Sequence, residues 1–368
     1  MMAHVLLVTG ATGVIGRPLV EALCAEADVE RLYALTHTAS LDFVDDRLTS
    51  VAGDVTAGPD LGLDASVAQD IAAELTGIVH LAADTRFGAT IDNARRTNVG
   101  GTRNALAFAK RCAELDRVMC LSTVHVAGKR TGHIHEEELS HTAGFVNAYE
   151  ASKYEVEQEL RRRMEDLPIA VCRLSTVIGD SRTGQISKLG AIHQALRFMY
   201  AGLAPMVPGT EDSPVDLIAL DYAVAGIVTL ALRDFVAGRT WHLCAGRDTL
   251  TTGELLDLTM QTFLECRPGW RKRAIERPLL ADLATFELFR RSLDEVADSA
   301  LHTSLGVVAH FAPQLAFPKQ FDDRRCQAAL TNRSLTRPHA RDCLPRVVRH
   351  LIETKWAPQA AHPVAVEQ

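Results

Sequence analysis

A chain of 368 residues is long enough for one large domain, or one domain with an appendage, to bury a substantial core. Hydrophobic residues make up 47% and charged residues 23%, which excludes a mainly disordered chain, and a net charge of −7 gives no electrostatic reason to expect nucleic acid as a partner. The eight cysteines have no Cys-x-x-Cys pair and no zinc-like spacing, so reduced, buried thiols are expected. No stretch reads as a signal peptide and no apolar run is long enough to span a bilayer, so the expected location is the cytoplasm.

The first element is a strand, His4 to Thr9, followed at once by Gly10-Ala11-Thr12-Gly13-Val14-Ile15-Gly16 and a helix over Pro18 to Glu26. Glycines let such a turn take positive φ and let an anion approach the amide groups of a helix start, so the stretch reads as a dinucleotide cradle. The spacing is Gly-x-x-Gly-x-x-Gly, unlike the commoner Gly-x-Gly-x-x-Gly. Further strands are expected at 31–37, 48–55, 77–83, 117–126 and 169–178, with helices at 66–75, 93–115 and 147–165 between them. Apolar strands alternating with helices describe a Rossmann-type α/β fold, a doubly wound parallel sheet with its ligand beyond the carboxyl ends of the strands. After Gly179 the pattern loosens. A helix over 189–200 leads to a loop at 205–209, a strand and helix over 215–232 return to the core, and a strand follows at 240–245. Thr251 and Glu254 form a capping box for a helix over 253–265. The expected division is a dinucleotide-binding domain from 1–180 and 215–250, a smaller, mostly helical substrate region from 181–214 and 251–355, and a tail from 356.

Two features carry chemistry. Tyr149 and Lys153 stand one helical turn apart on one face. A phenol with a pKa of about 10 needs a neighbouring cation to work near neutrality, and Lys153 can supply it. About twenty-five residues before that pair, the strand ending in Leu121-Ser122-Thr123 places a hydroxyl where a substrate carbonyl would sit. Ser122 and Thr123 point to opposite faces, so one of them serves. His133, His135 and His141 lack a supporting ligand set, and no metal is expected. The basic run Arg267 to Arg273 reads as a solvated charge run, and His125 as packing.

The combination of the glycine turn, His80-Leu81-Ala82-Ala83, Asn98-Val99-Gly100-Gly101-Thr102, Ser122 to Gly128, Tyr149-Glu150-Ala151-Ser152-Lys153 and Arg173 to Gly179 resembles an extended short-chain dehydrogenase/reductase. Ala82 to Phe87 and Gly179 to Gly184 make it most similar to the fatty acyl-CoA reductase and thioester reductase branch, the male-sterility type, over residues 4 to about 250. The resemblance implies Thr123 as the hydroxyl partner, Tyr149 as the catalytic acid, and Lys153 as both its pKa modifier and a ribose ligand. It implies Gly10, Thr12, Gly13, Val14, Ile15 and Gly16 at the pyrophosphate, Asp54 and Val55 beside the adenine, and Ala82 and Ala83 along the cofactor channel. Leu174 stands where this family often has proline. The second strand ends in Thr36-His37-Thr38 without a carboxylate, which favours NADPH over NADH, with His37 at the phosphate.

The implied activity is hydride transfer to an acyl thioester, arriving as a coenzyme A ester or on an acyl carrier protein, to give aldehyde or alcohol. The same catalytic set serves ketone reduction and secondary alcohol oxidation in hydroxysteroid dehydrogenase and dihydroflavonol reductase relatives. A sugar-nucleotide epimerase and a non-catalytic redox-sensing regulator rank below these, and a homodimer is the expected assembly.

Overall fold

The computed structural model describes residues 3–269, 277–293 and 300–357. Most of the basic run, from Trp270 onward, and the tail from residue 358 lie outside them. Seven strands form one parallel sheet: β1 His4–Thr9, β2 Val29–Thr36, β3 Leu48–Ala52, β4 Gly77–His80, β5 Arg117–Thr123, β6 Ile169–Leu174 and β7 Thr240–Leu243. Their order across the sheet is β3-β2-β1-β4-β5-β6-β7. The chain reverses its direction of travel between β1 and β4, the crevice where doubly wound sheets bind ligands.

Side chains alternate between two cores. Leu6 and Val8 of β1 enter one, with Met119 and Leu121 of β5, while Val5 and Leu7 enter the other, with Val118 and Cys120. On the Val5 side lie helices α2 Ala65–Glu74, α4 Gly101–Ala109 and α5 Ala148–Arg163, with α3 Ile91–Arg95 joined to α4 through a π-turn at Arg96–Gly100. On the Leu6 side pack α1 Gly16–Ala25, α6 Ala191–Ala201, α7 Leu220–Val228, α8 Thr252–Cys266 and α12 Ala340–Glu353. Between α8 and α12 the chain forms α9 Leu283–Ser292, α10 Ala300–Val308 and α11 Arg324–Asn332. Phe286, Leu305, Val308 and Ala312 make a small separate cluster there. Among the described residues, no helix is long and apolar enough to cross a membrane. All eight cysteines are free, and all but Cys266 are buried.

Element ends differ from the sequence expectation where the sheet stops and the site begins. β4 ends at His80, because beyond the Leu81 amide, which still reaches the Thr9 carbonyl at 3.1 Å, the backbone leaves the ladder. β5 ends at Thr123 and runs into a 3₁₀ turn, Val124–Ala127. β6 ends at Leu174, and Thr176–Val177 pairs instead with Leu217–Ile218. The helix expected to 115 stops at Ala109, since the Asp116 amide is drawn to the Thr76 carbonyl at the sheet's edge, 2.9 Å away. The expected loop at 205–209 contains a short strand, Met206–Pro208, paired with Leu279–Ala281. The capping box of α8 is formed: the Glu254 amide donates to Thr251 Oγ1 at 3.2 Å and the Thr251 amide to Glu254 Oε2 at 3.0 Å.

Candidate active site

The glycine turn lies at the carboxyl edge of β1. Gly10 has φ +70°, and a Cβ there would sit 2.7 Å from the Ala82 amide nitrogen, so only glycine lets this turn close against the chain leaving β4. A Cβ on Gly16 would collide with the Gly10 carbonyl, which fixes how tightly α1 begins. The Gly13 amide closes the turn on Gly10 O at 3.0 Å, with Thr12 and Gly13 exposed at its crest and Val14 and Ile15 half-buried beneath. In the first turn of α1 the Arg17 amide donates to Gly13 O at 3.1 Å and the Leu19 amide to Ile15 O at 3.0 Å, and the positive end of the helix dipole at this turn suits a phosphate.

Beside the turn, both Asp54 oxygens are held by Thr56, from its amide at 2.8 Å and its hydroxyl at 2.9 Å, and these bonds hold the carboxyl below the usual range against the opposing effect of partial burial. His37 is exposed, with Nε2 3.7 Å from Asp54 Oδ2. Val55 is buried against Gly101, where a Cβ would stand 2.8 Å from Val55 Cγ2. The surface at the switch point thus consists of a bare turn, helix amides, and a small-residue wall at Ala82 and Ala83. These residues fit a nicotinamide dinucleotide.

A buried polar chain underlies this wall. Thr9 Oγ1 meets His80 Nδ1 at 2.7 Å, His80 Nε2 meets Thr102 Oγ1 at 3.1 Å, and Thr102 donates to the Asn98 carbonyl at 2.7 Å. Burial pushes the His80 pKa down to about 3, so the ring stays neutral. Asn98, carried on the π-turn, accepts from the Asp84 amide at 2.6 Å and donates to its carbonyl at 3.1 Å and to Ser152 Oγ at 2.8 Å. It therefore ties the loop after β4 to α5. The Asn98 to Thr102 motif was legible in the sequence; the role of its asparagine was not.

Thr123 and Tyr149 are brought together at the end of β5. Burial raises the Tyr149 phenol to about 12; the nearby Thr123 hydroxyl lowers it and the Glu150 carboxylate raises it further. Lys153 lies one turn along α5 and is buried, with Nζ donating to the Leu121 carbonyl at 2.6 Å and its pKa pushed by burial down to about 8. Ser122 points the other way and donates to Glu157 Oε1 at 2.6 Å. Glu157 is in turn gripped by the fully buried Arg173, at 2.9 and 2.7 Å. Phe87 packs on Tyr149 with centroids 5.4 Å apart, and Phe311 on Phe87 at 6.4 Å. In the sequence Phe87 stands out only as the end of the Ala82 to Phe87 stretch, and nothing beyond residue 300 points to this site.

The loop histidines are otherwise engaged. His135 pairs with Asp322 at 3.1 Å, and His141 meets the Val126 carbonyl at 2.9 Å between the rings of Phe145 and Tyr154. His125 is close enough to Thr176 for a 3.5 Å contact, and burial lowers its pKa to about 4.

Comparison with known proteins is consistent with this geometry. The family model described as male sterility protein, NAD-binding, matches residues 36–227, just over half of the chain. Fatty acyl-CoA reductase 2, chloroplastic, of Arabidopsis thaliana is 31% identical over 164 residues, covering 36% of this chain and 26% of that protein. A polyketide synthase-nonribosomal peptide synthetase, ACE1 of Pyricularia oryzae, is 30% identical over 242 residues, 61% of this chain and 6% of the synthetase. The chain thus spans only a small part, at most about a quarter, of these two relatives. Among solved structures, the terminal R domain from the myxalamid PKS-NRPS biosynthetic pathway superposes with a TM-score of 0.79 at 24% identity, covering 98% of this chain and 93% of that one. By the family match over residues 36–227, with a sheet order in keeping with it, the chain belongs to the male sterility protein family of NAD-binding proteins.

Proposed function

We propose that the protein reduces acyl thioesters with NADPH, taking the acyl group from coenzyme A or from an acyl carrier protein. The observation that carries this reading is that Thr123 ends β5 and Tyr149 begins α5 at the same sheet edge as the glycine turn after β1, with Lys153 one helical turn along α5. The named activity of the Arabidopsis relative supports the thioester as substrate.

The bound cofactor would supply a hydride to the thioester carbonyl carbon. Thr123 and Tyr149 would hold the carbonyl oxygen, and Tyr149 would give it a proton as negative charge develops. The resulting hemithioacetal loses the thiol to leave an aldehyde. A phenol raised to about 12 is a fully protonated acid at neutral pH, and Lys153, one turn along α5 with Nζ on the Leu121 carbonyl, would be the cation that stabilises the phenolate left behind. Asn98, through Asp84 and Ser152, keeps the loop after β4 and the catalytic helix in register.

The preference for NADPH rests on the end of β2, where Thr36 and the exposed His37 stand without a carboxylate of their own. His37→Asp should raise the KM for NADPH by about tenfold, as about 1.4 kcal/mol of lost phosphate attraction implies, and leave NADH little affected; an equal effect on both would remove His37 from phosphate binding.

The deciding assay follows NADPH oxidation with acyl-CoA thioesters, aldehydes and ketones in parallel, and measures thiol release. Thiol release that disappears in Tyr149→Phe, with cofactor binding retained, is the expected result. Turnover of ketones without thioesters would overturn the thioester assignment.

A further inference from the structure

Immediately after Tyr149 stands a carboxylate that the chemistry above does not use. Glu150 is 0% exposed. Its Oε2 accepts from the Val146 amide at 2.9 Å, and its Oε1 accepts from Asn147 Nδ2 at 3.2 Å and from the Gln314 carboxamide, which arrives from a distant segment. The same segment brings a cation. Lys319 is buried, donates to the Phe317 carbonyl at 2.8 Å and lies over the Phe317 ring at 5.7 Å, with Lys129 over that ring at 6.0 Å. Both lysines act on the Glu150 charge.

These contacts make a junction. Asn147 also donates to the His310 carbonyl at 3.1 Å, and Phe311 packs on the phenylalanine that covers Tyr149. Residues 310–319 thus meet the start of α5 through the His310 carbonyl on Asn147 and the Gln314 carboxamide on Glu150, and reach Tyr149 indirectly through the Phe311 ring on Phe87. A buried carboxylate is costly unless donors and counter-charge surround it, and here most of them come from outside its own helix.

We propose that Glu150 is a positioning residue for the reduction: by holding Gln314 it fastens the 310–319 segment, whose Phe311 backs the ring on Tyr149, to the catalytic helix. The proposal rests on the reductase reading. Facing Glu150 are Asn147 from its own cap, Lys129 from the loop after β5, and Gln314 and Lys319 from the C-terminal segment; facing Tyr149 are Thr123 and Phe87. Burial lifts the Glu150 carboxyl to about 7 and lowers Lys319 to about 8.

The test measures kcat and KM for the wild type, Glu150→Leu and Gln314→Leu, using a carbonyl substrate that the wild type turns over. Glu150→Leu removes the acceptor and Gln314→Leu removes the donor of the tie, so KM should rise at least threefold in each, with kcat within twofold of the wild type. An unchanged KM in Gln314→Leu, or an equal fall of kcat in place of the rise in KM, would overturn the proposal. Should Glu150→Leu fail to fold, Gln314→Leu decides alone. If the wild type turns over nothing, the reductase reading fails by itself, and limited proteolysis then tests the fastening: cleavage within 310–319 should be faster in Gln314→Leu than in the wild type, and equal rates would overturn it.

Discussion

Lys153 is held in the fold at a cost. Burial lowers its pKa from 10.5 to about 8, so between those values the unfolded chain binds a proton that the folded chain has released. Stability therefore rises with pH across that window, and below it the buried ammonium costs on the order of 3 kcal/mol, offset by about 1 kcal/mol from its bond to Leu121. Lys153→Met should abolish turnover yet raise Tm by a few degrees at neutral pH, an advantage that shrinks as the pH passes 8. Calorimetry at several pH values checks this; a lowered Tm at neutral pH would refute it. The opposite holds for Arg173, which is fully buried on Glu157 and also donates to the carbonyls of Glu136 and Glu138. Removing it leaves the buried Glu157 without its ion-pair partner, with the Ser122 hydroxyl still on Oε1. Arg173→Met should cost about 3–5 kcal/mol in urea unfolding, and pairing it with Glu157→Gln should recover part of the loss.

Helix α5 shows why some of the site was legible and some was not. Tyr149 and Lys153 announce themselves because one helical turn separates them and each has a chemical reason to need the other. Glu150 and Glu157 lie on the same helix and are equally buried, yet a sequence reading takes charged residues on a helix as solvent-facing. Their partners, Gln314 and Arg173, come from other elements and carry no local signature. The same reasoning separates Ser122 from Thr123: alternation along β5 requires that they diverge, but only the position of Glu157 decides which hydroxyl is committed to the interior. The start of α5 depends on Asn147, whose side chain accepts from the Glu150 amide at 3.0 Å. Asn147→Ala should lower stability by about 1 kcal/mol through the lost cap, measurable by denaturant unfolding. It should also raise the KM for substrate through the lost tie to His310. A change in stability with no change in KM would confine Asn147 to capping.

Across the whole molecule, the first 250 residues follow their pattern closely, because a parallel sheet covered on both faces imposes long apolar strands at regular intervals. Beyond them the sequence carries weaker signals. In α12, Leu344, Val347, Val348 and Leu351 do repeat at helical spacing, but Pro345 and the intervening arginines obscure the stripe. All four are buried in the same core as β1 and α8. Leu344→Ala should therefore cost about 2–5 kcal/mol, as for any central core leucine, and show as a lower urea midpoint; a loss under 1 kcal/mol would mean that α12 is peripheral. The short parallel ribbon between Gly132–Ile134 and Lys319–Phe321 joins the loop after β5 to the segment that packs over Tyr149. For anyone building chimaeras to change substrate choice, these two stretches form a single transplantable unit. A foreign C-terminal segment would arrive without its matching β5 loop, so exchange should succeed only when both are moved together.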